Sequence, residues 1–207
     1  MRVLKLLTGV ILMALLTGCG TKDVAKNDVA QNDVAQNKEV KEESTEAVPE
    51  VEIDNSLISA YNIFEVHSDN LNDGKWDDVV SYTNKGENKS PQLSWDPVEG
   101  ATTYVVYMVD TSMQYWIHWK AQDIQDTDLP LGYSSETEYI GPYPPAGGSH
   151  TYEVYVIALK KPAERVKGGL NGQNAKFESF IEFLDTDADG NTGNIAGAAH
   201  ISGTFTN

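Results

Sequence analysis

Runs of apolar, strand-forming residues in the second half of the chain constrain its fold more than any other feature. The clearest runs are Thr103–Asp110, Tyr115–Lys120 and Tyr152–Leu159, which are rich in β-branched and aromatic residues and have a period of two. Such runs are typical of β-strands, and turn-rich segments separate them. Shorter candidate strands lie at 63–67, 93–95 and 200–205.

One segment has a helical period instead. Within 175–184, apolar residues stand at i, i+3, i+4 and i+7, namely Phe177, Phe180, Ile181 and Leu184. This spacing predicts one amphipathic helix. Six or more short strands with one or two helices indicate a mainly β domain, and periodicity alone does not separate a sandwich from a barrel.

The first 18 residues have the layout of a secretory signal peptide. Arg2 and Lys5 precede an apolar stretch that is too short for a stable membrane anchor. The stretch ends in Leu-Thr-Gly-Cys, which resembles a bacterial lipobox and implies lipid attachment to Cys19. The alternative for this single cysteine is a buried core thiol. We expect an exported protein, anchored through Cys19 to the cell membrane or the outer membrane.

Residues 19–56 have the composition of a tether. The segment D-V-A-(K/Q)-N occurs three times from Asp23, and no aromatic residue lies between Gly20 and Ser56. A segment with so little apolar surface cannot offset its ordering entropy, so we expect a disordered acidic linker. A marginal helix is the alternative, although a period of five fits no helical repeat. Residues 57–207 then suffice for one domain with its own core.

The charge balance excludes one class of partner. The chain carries 15 basic and 31 acidic residues, for a formal net charge of −16. Non-specific nucleic-acid binding relies on a basic face, so we expect no nucleic-acid partner. A locally positive pocket that takes a small anion remains compatible with an acidic protein.

Four residues that can bind an anion lie on or beside the predicted strands. Asp110 ends one strand, His118 lies within the next, and His150 and Tyr152 follow the stiff loop GPYPPAGGSH. Imidazole and phenol groups donate hydrogen bonds to anionic oxygens, and a carboxylate fixes a histidine tautomer. Taken singly, His118 also fits a half-buried histidine among aromatic residues, and Asp110 fits a turn acceptor.

Five motifs in order resemble the phosphatidylethanolamine-binding protein family, in its bacterial Raf-kinase-inhibitor-like branch. They are FEVHSDNLNDGKW, SPQLSWDPVEGATTYVVYMVD, IHWKAQDIQDTDLPLG, GPYPPAGGSHTYEVYVIAL and HISGTFTN. The resemblance implies a central antiparallel sheet flanked by a second, smaller sheet and one or two peripheral helices. It also implies a small pocket for phosphate, acetate or a phosphoethanolamine headgroup. Carried over by motif, the ligand-binding positions are Asp110, His118, Gly141, Pro144, Pro145, His150 and Tyr152.

Two departures from the family pattern affect the pocket. The family's D-P-D-x-P reads Asp110-Thr-Ser-Met-Gln114, which lacks both prolines and the second carboxylate. The H-R-Y segment reads His150-Thr-Tyr152, which lacks the arginine. We therefore expect a softer rim beside Asp110 and an altered ligand preference.

A partial calcium-loop pattern follows the predicted helix. Its carboxylate and amide positions are Asp185, Asp187, Asp189 and Asn191, with Gly190 at the turn position. Ala196 stands where an EF-hand has its bidentate glutamate, so an acidic surface loop is the favoured interpretation. We expect no cofactor, with calcium as the alternative. We expect no ligand at four further residues. Trp95 and Trp119 are predicted to pack in the core, and His67 and His200 are predicted to lie at surface or hydrogen-bonded positions.

Three functions compete. The leading one is a non-catalytic, membrane-anchored module that binds a small anion or a phospholipid headgroup. The second is an envelope protein that interacts with or inhibits a kinase or protease partner, whose identity the sequence does not indicate. The third is a hydrolase that uses the Asp110 and histidine cluster, although no nucleophile motif such as G-x-S-x-G occurs.

Overall fold

The computed structural model describes residues 56–207. The predicted signal peptide, Cys19 and nearly all of the predicted linker lie outside these residues. The described strands are β1 Val66–His67, β2 Leu71–Asn72, β3 Lys75–Trp76, β4 Leu93–Trp95, β5 Thr103–Asp110, β6 Trp116–Ile124, β7 Asp128–Leu129, β8 Ser149–Leu159 and β9 Ile195–Thr206. One α-helix, α1 Phe177–Leu184, joins them, with 3-10 turns at Ser56–Ile58, Asp78–Val80 and Thr111–Met113. No helix within 56–207 has the length and apolarity needed to cross a membrane.

The strands form two sheets. Six strands pair in the order β2-β3-β9-β8-β5-β6, and three pair in the order β1-β4-β7. All pairs are antiparallel except the short contact between β3 and β9. The predicted mainly β fold, with a central sheet, a smaller sheet and a peripheral helix, is confirmed.

Two apolar cores cover the faces of the six-stranded sheet. Tyr104, Val106 and Met108 of β5 face the three-stranded sheet, where Trp95 and Trp119 also pack. The intervening residues of β5 face α1 on the other side. All eight residues of β5 are therefore buried, as expected for a central strand with both faces covered.

The predicted strand limits agree in full for β4 and β5 and agree least for β1 and β9. Only Val66–His67 of the predicted strand at 63–67 forms a ladder, and Ile63 makes an isolated bridge to Ala198. β9 begins at Ile195, five residues before its predicted start. Its first part is rich in small residues and buried on both faces, so no alternation marks it in the sequence.

A β-bulge in β6 positions His118. Met108 pairs with Trp119 and Val109 pairs with Ile117, which leaves His118 as an extra residue without a partner on β5. Bulges bend a strand and redirect a side chain, and they are common beside binding sites. The side chain of His118 therefore does not follow the alternation of side chains between the two faces of the sheet that its neighbours in β6 show.

Candidate functional site

The ends of three neighbouring strands meet at the candidate site. Asp110, the last residue of β5, pairs with Tyr152 of β8 on one side and with Trp116 of β6 on the other. His150 stands two residues before Tyr152 on β8, so both side chains point to the same face of the sheet. The antiparallel register thus gathers residues that are up to 42 positions apart in the chain.

Asp110 and His150 form a close pair. His150 Nδ1 lies 2.6 Å from Asp110 Oδ2 and donates to it, because a carboxylate oxygen can only accept. Asp110 is 3% exposed. Its second oxygen, Oδ1, is buried from solvent and has no partner in hydrogen-bond geometry among residues 56–207, while the Tyr152 hydroxyl interacts with the same carboxylate. A buried carboxylate oxygen without a hydrogen bond lowers the stability of the folded protein.

His118 is held by two backbone carbonyls. Its Nδ1 lies 2.7 Å from the carbonyl oxygen of Ile140 and 3.1 Å from that of Gly141, so Nδ1 carries a proton and donates to both. Burial lowers the pKa of His118, while the carbonyls and the charge of Asp110 partly oppose that shift. The ring is therefore neutral at neutral pH, and its Nε2 is a hydrogen-bond acceptor.

Tyr152 provides a protonated hydroxyl. Burial, and then the charge of Asp110, raise the pKa of Tyr152 well above its usual value of 10. The ring of Tyr152 lies edge-on to the ring of His118, with centroids 5.1 Å apart. Tyr143 makes a similar edge contact with His118 at 5.5 Å. The imidazole of His118 is thus fixed between two aromatic rings.

The proline- and glycine-rich loop contributes to the site in two ways. Pro145 lines the cavity, whereas Gly141 and Pro144 lie behind it. A Cβ at Gly141 would stand 2.0 Å from the carbonyl oxygen of Val80, so only glycine fits there. The Pro144 carbonyl accepts from the Asn207 side chain. Gly141 and Pro144 are therefore positioned as supports, although the sequence predicts them as ligand contacts.

The resulting cavity has a volume of about 200 Å³. Its lining residues are Asp110, Met113, Trp116, His118, Tyr143, Pro145, His150 and Tyr152. Sequence reasoning missed three of them: Met113, Trp116 and Tyr143. Two had a visible signal, because Trp116 stands two residues before His118 and Tyr143 lies inside the stiff loop.

The rim that replaces the family's proline-rich motif is a 3-10 turn at Thr111–Met113. Thr111 Oγ1 donates to the carbonyl of Thr151, and Ser112 Oγ accepts from the amide of Thr151. Gln114 and Tyr115 follow in the left-handed region, with φ of 52° and 55°. The rim that we expected to be softer is thus tied to β8 by two side-chain hydrogen bonds.

The acidic loop after α1 is arranged as a capped turn. Asp187 Oδ1 accepts from the amides of Asp189 and Asn191. The backbone and side-chain hydrogen bonds of Asn191 lower the pKa of Asp187 to about 2. Asp185 accepts from two further amides. The Lys161 ammonium lies 3.1 Å from both Asp187 and Asp189. No group of three or more His, Cys, Asp or Glu side chains within 56–207 has the geometry of a metal site.

The remaining histidines lie away from the cavity. His67 is exposed, with its Nε2 3.7 Å from Glu65. His200 is buried rather than on the surface, and its ring stacks on Tyr155 with centroids 4.7 Å apart. Neither ring nitrogen of His200 makes a hydrogen bond within the described chain, and Nε2 stands 3.5 Å from Glu153. Its surroundings are those of a packed core side chain.

Comparison with solved structures gives the same fold. The chain is similar to a putative phosphatidylethanolamine-binding protein homologue from Chlamydia trachomatis, with a TM-score of 0.53, 22% identity, and coverage of 70% of this chain and 99% of that one. It is also similar to E. coli YbcL, described as a new member of the mammalian family, with a TM-score of 0.53, 21% identity, and coverage of 70% and 98%. Likeness at this identity shows the fold alone.

Comparison with sequences gives the family. No curated protein matches the chain. A family model described as phosphatidylethanolamine-binding protein matches residues 67–204, which include every residue of the candidate cavity. The chain therefore belongs to the phosphatidylethanolamine-binding protein family.

Proposed function

We propose that the protein is an exported, lipid-anchored binding module whose pocket holds a small anion, such as phosphate or a phospholipid headgroup, without turning it over. The observation that carries this proposal is the Asp110–His150 pair beside Tyr152 in a cavity of about 200 Å³. Membership of a family named for binding a phospholipid adds support.

Two groups can donate to an anion. His150 uses Nδ1 for Asp110, which leaves Nε2 for a ligand, and the imidazolium form donates from that atom. The Tyr152 hydroxyl keeps its proton because burial raises the pKa of this phenol. A hydrogen bond from a protonated imidazole to an anion is about twice as strong as one between neutral groups.

The rest of the cavity wall is mostly apolar. Met113, Trp116 and Tyr143 line it beside the polar groups. Apolar walls lower the local dielectric and strengthen the few polar contacts that a ligand makes. A compact pocket with a few convergent polar groups on an apolar surface is the usual form of a small-molecule site.

The surroundings of the nearest hydroxyls support a non-catalytic role. Ser112 Oγ accepts from the amide of Thr151, and Ser149 Oγ accepts from Thr206. Neither serine lines the cavity, and neither is hydrogen-bonded to a histidine that could activate it. We expect no hydrolysis of generic esters or phosphoesters. Turnover that disappears in His150→Ala would instead establish the hydrolase alternative.

The anchoring part of the proposal rests on the sequence of the first 19 residues. We expect the protein to incorporate radiolabelled palmitate and to sediment with membranes, and Cys19→Ala to lose both properties. A wild-type protein that stays in the soluble fraction without label would contradict lipid anchoring and would leave the pocket proposal untouched.

Titration calorimetry with phosphate and with phosphoethanolamine tests the pocket. His150→Asn and Tyr152→Phe each remove one donor, and we expect each to weaken binding about tenfold or more, since a hydrogen bond to a charged group contributes about 1.5–3 kcal/mol. Matched controls are His67→Asn and Tyr82→Phe, which alter exposed residues outside the cavity. Variants that bind like the wild type, or a wild type that binds neither compound, would refute the proposal.

A further inference from the structure

A side cavity of about 370 Å³ shares the Tyr143 side chain with the cavity described above. The remaining lining residues of the side cavity are Tyr82, Asn88, Glu136, Ile140 and Asn171. Its volume lies within the range of about 300–1,000 Å³ that is usual for small-molecule sites. The function proposed above assigns no ligand to this side cavity.

Two exposed tyrosines form an aromatic corner in the side cavity. Tyr82 is 61% exposed and Tyr143 is 36% exposed, and their rings meet edge to face with centroids 6.1 Å apart. The Tyr82 amide donates to the Pro142 carbonyl at 2.9 Å, which ties together the backbone segments that carry the two rings. Exposed tyrosine rings on a fixed backbone offer apolar surface on which a ligand can stack.

Two asparagines add amide donors to this corner. Asn88 Oδ1 accepts from the Gly141 amide at 2.8 Å. Asn171 Oδ1 accepts from the Trp116 indole at 3.2 Å and from the Tyr143 hydroxyl. Because a backbone amide and an indole can only donate, these bonds decide which side-chain atom of each asparagine is the oxygen. The Nδ2 group of each asparagine is then available to donate to a ligand.

The chemistry of the lining excludes several classes of ligand. Glu136 is an exposed carboxylate, and none of the lining residues that the structure describes is basic, so the side cavity disfavours an anion. One carboxylate falls well short of the about six to eight oxygens that surround a calcium ion. The lining residues all lie outside the nine described strands, so an extended peptide finds no sheet edge to pair with.

A saccharide matches the groups that are present. The C–H face of a pyranose ring is apolar and packs on a tyrosine ring, and each hydroxyl at its edge both donates and accepts. Such hydroxyls can donate to the Glu136 carboxylate and accept from the Asn88 and Asn171 amides. An acyl chain would instead desolvate these three polar groups without giving them partners, which costs free energy.

We propose that the side cavity is a binding site for a neutral saccharide. One pyranose ring packs in the corner of Tyr82 and Tyr143, and its hydroxyls form hydrogen bonds with Glu136 and the two asparagines. The proposal goes beyond the proposed function and does not depend on anion binding, because its ligand lies in a different cavity.

Saturation-transfer NMR titrations of the protein with maltose, cellobiose and N,N′-diacetylchitobiose at millimolar concentrations test the proposal. We expect at least one of these probes to bind, and Tyr82→Ala to weaken its binding about tenfold, because the variant removes stacking surface. Tyr82→Phe keeps the ring and should bind within about twofold of the wild type. Glu136→Ala removes an acceptor and should weaken binding about threefold or more. The matched control is Tyr133→Ala, which removes an exposed tyrosine ring outside the side cavity and should bind like the wild type.

Three outcomes would overturn the proposal. The first is that none of the saccharides binds, and binding of tetra-alanine in their place would make the side cavity a peptide site. The second is saccharide binding that survives both Tyr82→Ala and Glu136→Ala, which would place the ligand elsewhere. The third is a tenfold loss of phosphate affinity in Tyr82→Ala, which would merge the two cavities into one site. Because Tyr82 does not line the first cavity, we expect phosphate binding to be unchanged in that variant, so the two proposals can fail separately.

Discussion

Asp110 and Asp187 are both buried carboxylates, and they differ in how the protein satisfies them. Asp187 accepts hydrogen bonds from the amides of Asp189 and Asn191 and lies 3.1 Å from the Lys161 ammonium. Asp110 has one hydrogen-bonded partner, His150, and one oxygen without a partner in hydrogen-bond geometry among the described residues. The first carboxylate holds a loop in shape, and the second holds the ring of His150 in the wall of the cavity.

The contrast shows that an acidic residue is best assigned by its hydrogen bonds. The pattern Asp185-Thr-Asp-Ala-Asp-Gly-Asn191 suggests a cation site, yet its acids are occupied by amides and a lysine. Asp110 has no acidic neighbours in the sequence, yet it alone among the buried carboxylates has an oxygen without a partner in hydrogen-bond geometry in the described chain. Unsatisfied polar groups that persist in a fold are often retained for function.

The largest expected effect on stability comes from a change in the backbone behind the cavity. In Gly141→Ala the new methyl group would meet the Val80 carbonyl at 2.0 Å and displace the carbonyl that holds His118. We expect a loss of about 3 kcal/mol in unfolding free energy, with weaker phosphate binding. Urea unfolding of this variant and of the control Gly169→Ala, which has open space around its Cβ, measures the effect. Equal stability of the two variants would mean that the backbone at Val80 and Gly141 shifts to accommodate the methyl group.

Replacing each of the two carboxylates in a separate variant should separate their roles. Asp187→Ala leaves two amides and Lys161 without their acceptor, so we expect lower thermal stability with unchanged phosphate binding. Asp110→Asn weakens the bond that orients His150, so we expect weaker phosphate binding with an unfolding free energy within about 1 kcal/mol of the wild type. Thermal melts and calorimetry on both variants provide the comparison. A large destabilisation by Asp110→Asn would give that residue a structural role as well.

The pH dependence of stability should differ between the two regions. Burial lowers the pKa of His118 below its usual 6.5, so the unfolded chain binds more protons there and stability falls as pH drops below about 6.5. The pKa of Asp187 is held at about 2, so its contribution is present above pH 3.8 and is lost only as pH falls towards 2.

Unfolding in phosphate-free buffers, followed from pH 8 to pH 2, separates the two windows. His118→Asn keeps a donor for the carbonyls and does not titrate, so it should lose the first decline and keep the second. A first decline that persists in His118→Asn would assign it to another group.

The smallest expected effect concerns calcium. Lys161 lies against Asp187 and Asp189, where a cation would otherwise be held, so we expect millimolar calcium to leave the melting temperature of the wild type unchanged. Lys161→Gln, which removes the ammonium from both carboxylates, should melt at nearly the same temperature without calcium, because the Lys161 side chain is more than half exposed and ion pairs of such groups contribute little. A clear rise in the wild-type melting temperature with calcium would support the calcium-loop hypothesis and weaken the contrast with Asp110.

Local patterns predicted the central strands and the helix well. β5 has its predicted limits, and α1 begins two residues inside the predicted segment. The end of β6 was missed, because Asp123 adopts a φ of 59° at a second irregularity in its pairing with β5. Bulges depend on the partner strand, and no local period reports them.

The sequence predicted which residues line the cavity better than it predicted their hydrogen bonds. Asp110, His118, His150 and Tyr152 line one cavity. Strand ends and a recognisable loop marked these four residues in the sequence. The tautomer of His118 could not be foreseen, since it depends on carbonyls 22 and 23 residues further along the chain. Sequence reasoning therefore treated His118 as a donor to the ligand, and its hydrogen bonds make Nε2 an acceptor.

The bulge at His118 has a consequence for how this fold can change. A residue in a regular ladder faces a fixed neighbour, so altering it disturbs the packing of two strands. His118 has no such neighbour on β5, and the core residues on either side keep their own register. A substitution at position 118 can therefore leave the β5–β6 register intact, and its cost falls on the carbonyls of Ile140 and Gly141 that the imidazole now satisfies.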